Sequence, residues 1–95
     1  HTCVLYHSRN ANKMIVFSGW NHFPFHAFSD MHEFDIQTQE WNEIFYANDL
    51  VPEKRLATAA CMKNDQVMII FGGKECFGER RFNDIHEFDF VHRIW

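Results

Sequence analysis

Short apolar runs separated by polar turns dominate this chain. KMIVF (13–17) and VMIIF (67–71) are apolar, largely β-branched runs that stop at or next to a glycine, as buried strands do. HTCVLY (1–6) and TAACMK (58–63) are shorter segments of small and apolar residues, each followed by a polar turn. No stretch carries an apolar helical stripe of three turns. The pattern therefore predicts an all-β fold.

The chain repeats itself with an offset of 54 residues. Residues 13–41 align with 67–95, and twelve of these 29 positions are identical. The clearest copies are the hexamers DMHEFD (30–35) and DIHEFD (84–89). A repeat of this period is typical of a solenoid, a propeller or an array, in which each repeat buries its apolar face against the next.

Each copy carries a characteristic order of residues. A strand ends in two glycines, a variable loop follows, then comes Asp-x-x-x-Phe-Asp, and a Trp stands six residues after the last Asp. This order resembles the Kelch motif, and it covers almost the whole chain. An Arg precedes the first strand of copy two, and Ser18 replaces one glycine in copy one. The matching segments are MIIFGG (68–73), NDIHEFD (83–89), Trp95 and Arg55 in copy two, and MIVFSG (14–19), SDMHEFD (29–35) and Trp41 in copy one.

The resemblance implies a β-propeller built from two four-stranded antiparallel blades. Residues 1–50 would form blade one and residues 51–95 blade two, whose outer strand is missing. Two blades leave two apolar faces open, so the chain is expected to be a fragment of a larger propeller, with further blades in the same chain or assembly. Counted outward from the axis as a to d, the predicted strands lie near 1–6, 13–18, 30–35 and 41–46, then near 58–63, 67–72, 84–89 and just after 95.

The residues of this motif are predicted to be structural. Glycines where strand b ends tolerate a positive φ, aspartates end strands and accept turn hydrogen bonds, and the tryptophans pack between neighbouring blades. These residues are Gly19, Gly72, Gly73, Asp30, Asp35, Asp84, Asp89, Trp41 and Trp95.

The hexamer DMHEFD could be mistaken for a metal site. On a strand, His32 and Glu33 point to opposite faces, whereas Asp30 and His32 share one. A zinc ion would need further ligands that this alternation does not supply, and the hexamer recurs as scaffold residues do. His22 and His26 have a four-residue spacing, but Pro24 excludes the helix that would align them. We therefore predict no metal, no cofactor and no catalytic residue.

The residues that do not recur are the better candidates for binding. If the four strands alternate in direction, the b–c loops (20–29 and 74–83) and the d–a loop (47–55) emerge on one face. Kelch-like proteins are similar in using this face for peptide partners. A solvated rim of charges is the alternative interpretation of the same residues. The predicted partner-binding residues are Trp20, His22, Phe25, His26, Lys74, Glu75, Arg80 and Arg81.

The charge and the cysteine content indicate which classes of partner and which cellular compartment to expect. The net charge is −4 at pH 7 and Arg80-Arg81 is the longest basic run, which predicts no nucleic-acid partner. No apolar run approaches the length needed to span a bilayer, so no membrane association is expected. The three cysteines show no CxxC spacing, which favours free thiols in a reducing, cytoplasmic setting. Cys3 and Cys61 are expected to be small core residues.

These observations favour a non-enzymatic protein–protein interaction module that binds a partner through its b–c and d–a loops. The Kelch resemblance suggests a substrate receptor of a ubiquitin ligase, or a scaffold. One alternative is an enzyme on the same architecture, such as a copper oxidase of the galactose-oxidase type, for which Tyr6 and Tyr46 are the available tyrosines. A purely structural part of a large assembly is the other alternative.

Overall fold

The computed structural model describes residues 1–8, 11–22 and 26–95, and these form two antiparallel sheets. The first sheet, blade one, has the strand order β1-β2-β3-β4, and the second, blade two, has the order β5-β6-β7. The predicted all-β fold of two antiparallel blades is therefore confirmed. Within the described ranges no helix is long and apolar enough to cross a membrane. The strands are β1 (Thr2–Ser8), β2 (Ala11–Asn21), β3 (His26–Asp35), β4 (Glu40–Ile44), β5 (Ala59–Met62), β6 (Val67–Phe71) and β7 (Ile85–Asp89).

Strands β2 and β3 are longer than predicted, and the expected loop at 20–29 is wrong for most of its length. The pairing of β2 with β3 has an irregularity between Phe17 and Gly19 and then continues, so that Trp20 on β2 lies opposite Ala27 on β3. Ser18 has a φ of 67°, close to the 70° of Gly72 at the same position of blade two. A serine therefore takes the left-handed conformation that glycine adopts more readily. In blade two the strand ends at Phe71 instead of continuing.

The core lies between the two blades. Alternate residues of each sheet point toward the other sheet, and those side chains are almost completely buried. Trp95 packs among them, with ring centroids 5.2 Å from Phe17 and 5.0 Å from Phe88. The buried residues of this core are Val4, Ile15, Phe17, Met31 and Ile44 from blade one, and Met68, Ile70, Phe88 and Phe90 from blade two.

The outward faces of both blades are open, and they correct one prediction. Cys3 and Cys61 are exposed, so their assignment to the core is wrong for this pair of blades. The reason is strand alternation: the next residue along β1, Val4, is buried in the inter-blade core, which turns Cys3 to the opposite face. Trp41 also lies on the outward face of blade one, 55% exposed, and packs on Phe34.

The open faces lead to a prediction for the isolated chain. Residues 1–95 expressed alone should show no cooperative, monomeric thermal transition, because large apolar side chains on both outward faces have no covering layer. Trp41 on blade one and Phe71 on blade two are each more than half exposed. Circular dichroism melting combined with sedimentation analysis would check this. A sharp transition from a monomer would show that two blades suffice.

Two aspartates close the turns after β3 and β7 in the same way. Asp35 accepts backbone hydrogen bonds from Gln37 and Thr38 through Oδ1, at 2.9 and 3.1 Å. Asp89 accepts the equivalent pair of backbone hydrogen bonds two and three residues further on. The Thr38 amide holds the pKa of Asp35 below its usual value, and a hydrogen bond from His92 does the same for the pKa of Asp89. Recurrence of the hexamer thus reflects a recurring turn.

Candidate functional site

The linker between the blades and the long loop of blade two are joined at one end of the molecule. Leu56 and Lys74 exchange two backbone hydrogen bonds, each of 2.9 Å. The Phe82 amide donates to the carbonyl of Gly73 at 2.9 Å, so the far side of the loop is fixed as well. The loop at 72–84 therefore lies on a backbone frame that includes the linker, and the antiparallel topology brings the far end of the β2–β3 ribbon to the same side.

Within this loop, Glu75 and Arg80 close a smaller turn. The Glu75 amide donates to the carbonyl of Arg80, and the Arg80 amide donates to Oε1 of Glu75, both at 3.1 Å. The guanidinium of Arg80 also pairs with both carboxylate oxygens of Glu53 at 3.1 Å. Both side chains of this ion pair are more than half exposed, so it contributes little to stability. The two acidic groups are thus already engaged within the protein.

Two shallow clefts lie where the loops of the two blades meet. The first, of about 210 Å³, brings Trp20 of blade one beside Lys74 of blade two. The second, of about 300 Å³, brings His26 of blade one beside Glu75 of blade two. Residues predicted separately from the two copies therefore share clefts. The linings are Trp20, Leu56, Lys74 and Cys76 for the first, and His26, Ala27, Lys54, Glu75, Cys76 and Phe77 for the second.

The remaining predicted residues are placed differently. His22 lies in the turn after β2, with its ring 5.7 Å from that of Trp20. Arg80 and Arg81 are exposed on the loop but line neither cleft. Phe25 lies outside the described residues. The sequence analysis did not propose Cys76, which lines both clefts. Cys76 and its repeat counterpart His22 differ, and this difference between the copies could have identified Cys76 as a candidate.

Each cleft has one lysine in its lining, and the second cleft also has the carboxylate of Glu75. Among the described residues, neither Lys54 nor Lys74 makes an ion pair, although each lines a cleft. The nearby carboxylates of Glu53 and Glu75 have hydrogen-bond partners in Arg80. The exposed indole of Trp20 lies beside Lys74 in the first cleft, whereas Lys54 lines the second.

A buried arginine stabilises this end of the molecule, and its role was not predicted. Arg55 in the linker is only 1% exposed and donates to both carboxylate oxygens of Asp84, at 2.6 and 2.9 Å. It also donates to the carbonyls of Gly72 and Glu53, and its guanidinium stacks 4.0 Å from the ring centre of Phe82. The Arg55 guanidinium lowers the pKa of Asp84 well below its usual value.

A family model for the KLHDC2/KLHL20/DRC7 Kelch-repeats domain matches residues 1–95. The chain belongs to the Kelch-repeat family. No individual curated protein matches the sequence. Kelch-repeat domains are typically interaction modules.

The first Kelch repeat carries a second polar cluster, on its outward face. His32 Nε2 lies 2.7 Å from Asp30 Oδ2 and 4.0 Å from Glu43 Oε1. Ligand atoms of these three residues lie within 4.8 Å of one another. The third potential ligand comes from the neighbouring strand and not from the alternation along β3, because β4 pairs with β3 and places Glu43 opposite His32. Glu33 points to the other face, where it pairs with Lys13.

Proposed function

We propose that this Kelch domain is a protein–protein interaction module that binds an extended peptide segment across the loop surface between its blades. The observation that carries the proposal is the meeting of Trp20, Lys74 and Lys54 at two adjoining clefts. Trp20 and Lys74 occupy equivalent positions of the two repeats and differ, unlike the scaffold residues. A binding surface assembled from two blades and their linker has its geometry fixed by the backbone frame around Leu56.

The chemistry of the clefts favours a segment that pairs an apolar residue with an acidic one. Trp20 is 45% exposed, so a large part of its rigid indole faces solvent. The ammonium groups of Lys54 and Lys74 add positive charge, whereas the neighbouring glutamates are engaged by Arg80. An acidic side chain would therefore find a cation without displacing an existing ion pair.

At a finer level, the module would serve as the substrate receptor of a ubiquitin ligase or as a scaffold. Support for this step is the family alone. The oxidase alternative finds less support, because both tyrosines are used in packing: Tyr6 stacks on Phe90, and Tyr46 donates to the carbonyl of Ser29. Burial raises the pKa of Tyr46, which disfavours a phenolate ligand there.

Replacing Trp20 and Lys74 by alanine should weaken peptide binding about tenfold or more, because exposed aromatic and cationic anchors dominate such interfaces. The measurement is selection of binding peptides from a random library by the full-length protein, then fluorescence anisotropy with the selected peptide. Sequences enriched in acidic residues next to an aromatic or large aliphatic residue are expected.

Lys63→Ala is the matched control. Lys63 is also an exposed lysine but lies in the turn after β5, at the opposite end of the blade, where it pairs with Glu87. It should leave binding unchanged. If Trp20→Ala/Lys74→Ala binds as tightly as the unmodified protein while Lys63→Ala does not, the binding surface lies on the other face.

A further inference from the structure

The long loop of blade two carries two cationic side chains next to each other. Lys74 and Arg81 lie directly opposite one another as an isolated antiparallel pair. The two backbone hydrogen bonds across the loop, of 3.1 and 2.9 Å, join the residues on either side of this pair and not Lys74 to Arg81. This is the narrow type of antiparallel pair, in which the Cα atoms are about 4.5 Å apart and the two side chains share one face.

The two faces of this loop differ in how their charges are compensated. On one face, Arg80 binds the carboxylate of Glu53 and lies over the ring of Phe82, 4.8 Å from the ring centre. Lys74 and Arg81 lie on the opposite face, because successive residues of an extended segment point in opposite directions. Neither of them forms an ion pair with any residue that the structure describes. The second face therefore presents two cations that no carboxylate of the described chain neutralises.

This pair is unfavourable for the free protein and becomes favourable when an anion binds. Like charges directly opposite one another destabilise an antiparallel pair. Leu56 pairs with Lys74 on the other side through two backbone hydrogen bonds of 2.9 Å, so the lysine has a fixed backbone position. Lys74 lies beside the exposed indole of Trp20 in the first cleft, and Arg81 is exposed. Two neighbouring cations beside an apolar contact suit an anion with more than one negative charge.

We propose that Lys74 and Arg81 together bind the phosphate group of a phosphorylated residue in the partner segment. The inference rests on the proposed function, since the apolar residue of the same segment would lie against Trp20 in the adjoining cleft. A phosphoserine carries a charge between about −1.5 and −2 at pH 7 and has three acceptor oxygens, whereas a glutamate neutralises only one cation. The guanidinium of Arg81 would donate two parallel hydrogen bonds to the phosphate, and the ammonium of Lys74 would add a compact positive charge.

The test uses the full-length protein and a peptide selected for binding to it, synthesised with phosphoserine, glutamate or glutamine at its acidic position. In fluorescence anisotropy, the phosphoserine peptide should bind about tenfold more tightly than the glutamate peptide. Arg81→Gln should remove this gain while changing the affinity for the glutamate peptide by less than about threefold.

Arg93→Gln is the matched control for the loss of an arginine. Arg93 is also exposed and forms no ion pair among the described residues, but it lies in the turn after β7, at the other end of blade two. It should leave the affinities for all three peptides unchanged. Arg81→Gln should not lower the melting temperature of the free protein, because it removes one member of a repulsive pair. A marked fall would contradict the proposal, since Arg81 would then stabilise the fold itself.

The binding results separate failure of the phosphate site from failure of the proposed function. Equal affinities for the phosphoserine and glutamate peptides would overturn the phosphate site, and so would an Arg81→Gln variant that weakens both peptides by the same factor. In either case the proposed function stands, provided that Trp20→Ala/Lys74→Ala still weakens binding of the glutamate peptide. If that double substitution weakens binding of none of the peptides, the proposed function and the phosphate site are both wrong.

Discussion

Arg55→Met should destabilise the full-length protein by about 3 kcal/mol, although methionine keeps an unbranched apolar chain in place of the arginine stem and no apolar core residue is removed. Four donor interactions are lost at once: two to Asp84 and one each to the carbonyls of Gly72 and Glu53. The Asp84 side chain is 37% exposed, so water can replace part of the loss and the effect stays below that of a fully buried pair. Urea unfolding at neutral pH measures it.

Arg80→Met is the matched control, since Arg80 also lies over the Phe82 ring but is 57% exposed on its side chain. It should change the free energy of unfolding by less than about 0.5 kcal/mol. Arg55→Lys should recover little of the lost stability, because a lysine ammonium cannot donate to both carboxylate oxygens in the planar geometry of a guanidinium. If Arg55→Met and Arg80→Met lowered the free energy of unfolding equally, the buried Arg55–Asp84 pair would contribute no more to stability than the exposed Arg80–Glu53 pair.

The pH dependence of the same pair has a definite sign. Bonding to Arg55 lowers the pKa of folded Asp84 below its ordinary value of 3.8. A carboxylate whose folded pKa is lowered stabilises the protein above the unfolded pKa, and this stabilisation is lost as the pH falls through the folded pKa. The stability difference between the unmodified protein and Arg55→Met should therefore be full at neutral pH and shrink below pH 3.8.

The repeat in the sequence predicted most of the fold. Because the apolar alternation recurs, each copy must form the same kind of sheet and bury its apolar face against a neighbouring sheet. Met14 and Met68 occupy equivalent positions, yet Met68 is 1% exposed and Met14 is only half-buried. Equivalent positions face a neighbouring blade in blade two and open space in blade one. Periodicity thus predicts which face a residue points to, but not whether that face is covered.

The parts that sequence could not predict depend on contacts across long separations. Arg55 and Asp84 lie 29 positions apart, and only the folded linker brings them together. β2 continues to Asn21 because the backbone is irregular at Ser18. The residues that follow are rich in Phe, Pro and His and were interpreted as a loop, so the continuation of the strand was not predicted. The shared clefts were unpredictable for the same reason: Trp20 and Lys74 are equivalent in the repeat but adjacent in space.

Phe88→Ala should destabilise the full-length protein by about 4 kcal/mol. Phe88 is 0% exposed and its ring lies within 5.5 Å of the rings of Tyr46, Phe90 and Trp95, measured between centroids. Truncation would leave a cavity at the centre of the inter-blade core, where the two sheets are held apart by their other side chains and cannot collapse. Thermal or urea unfolding measures the loss.

Phe34, the repeat counterpart of Phe88, turns this experiment into a test of what covers blade one. Phe34 lies on the outward face, with its ring 4.9 Å from that of Trp41. If another blade packs there, Phe34→Ala should cost within about 1 kcal/mol of Phe88→Ala, because both rings then lie between blades. A cost of half that size or less would mean that the outward face remains in solvent. Since both substitutions remove the same atoms from the same strand position, the difference between them isolates the contribution of the neighbouring layer.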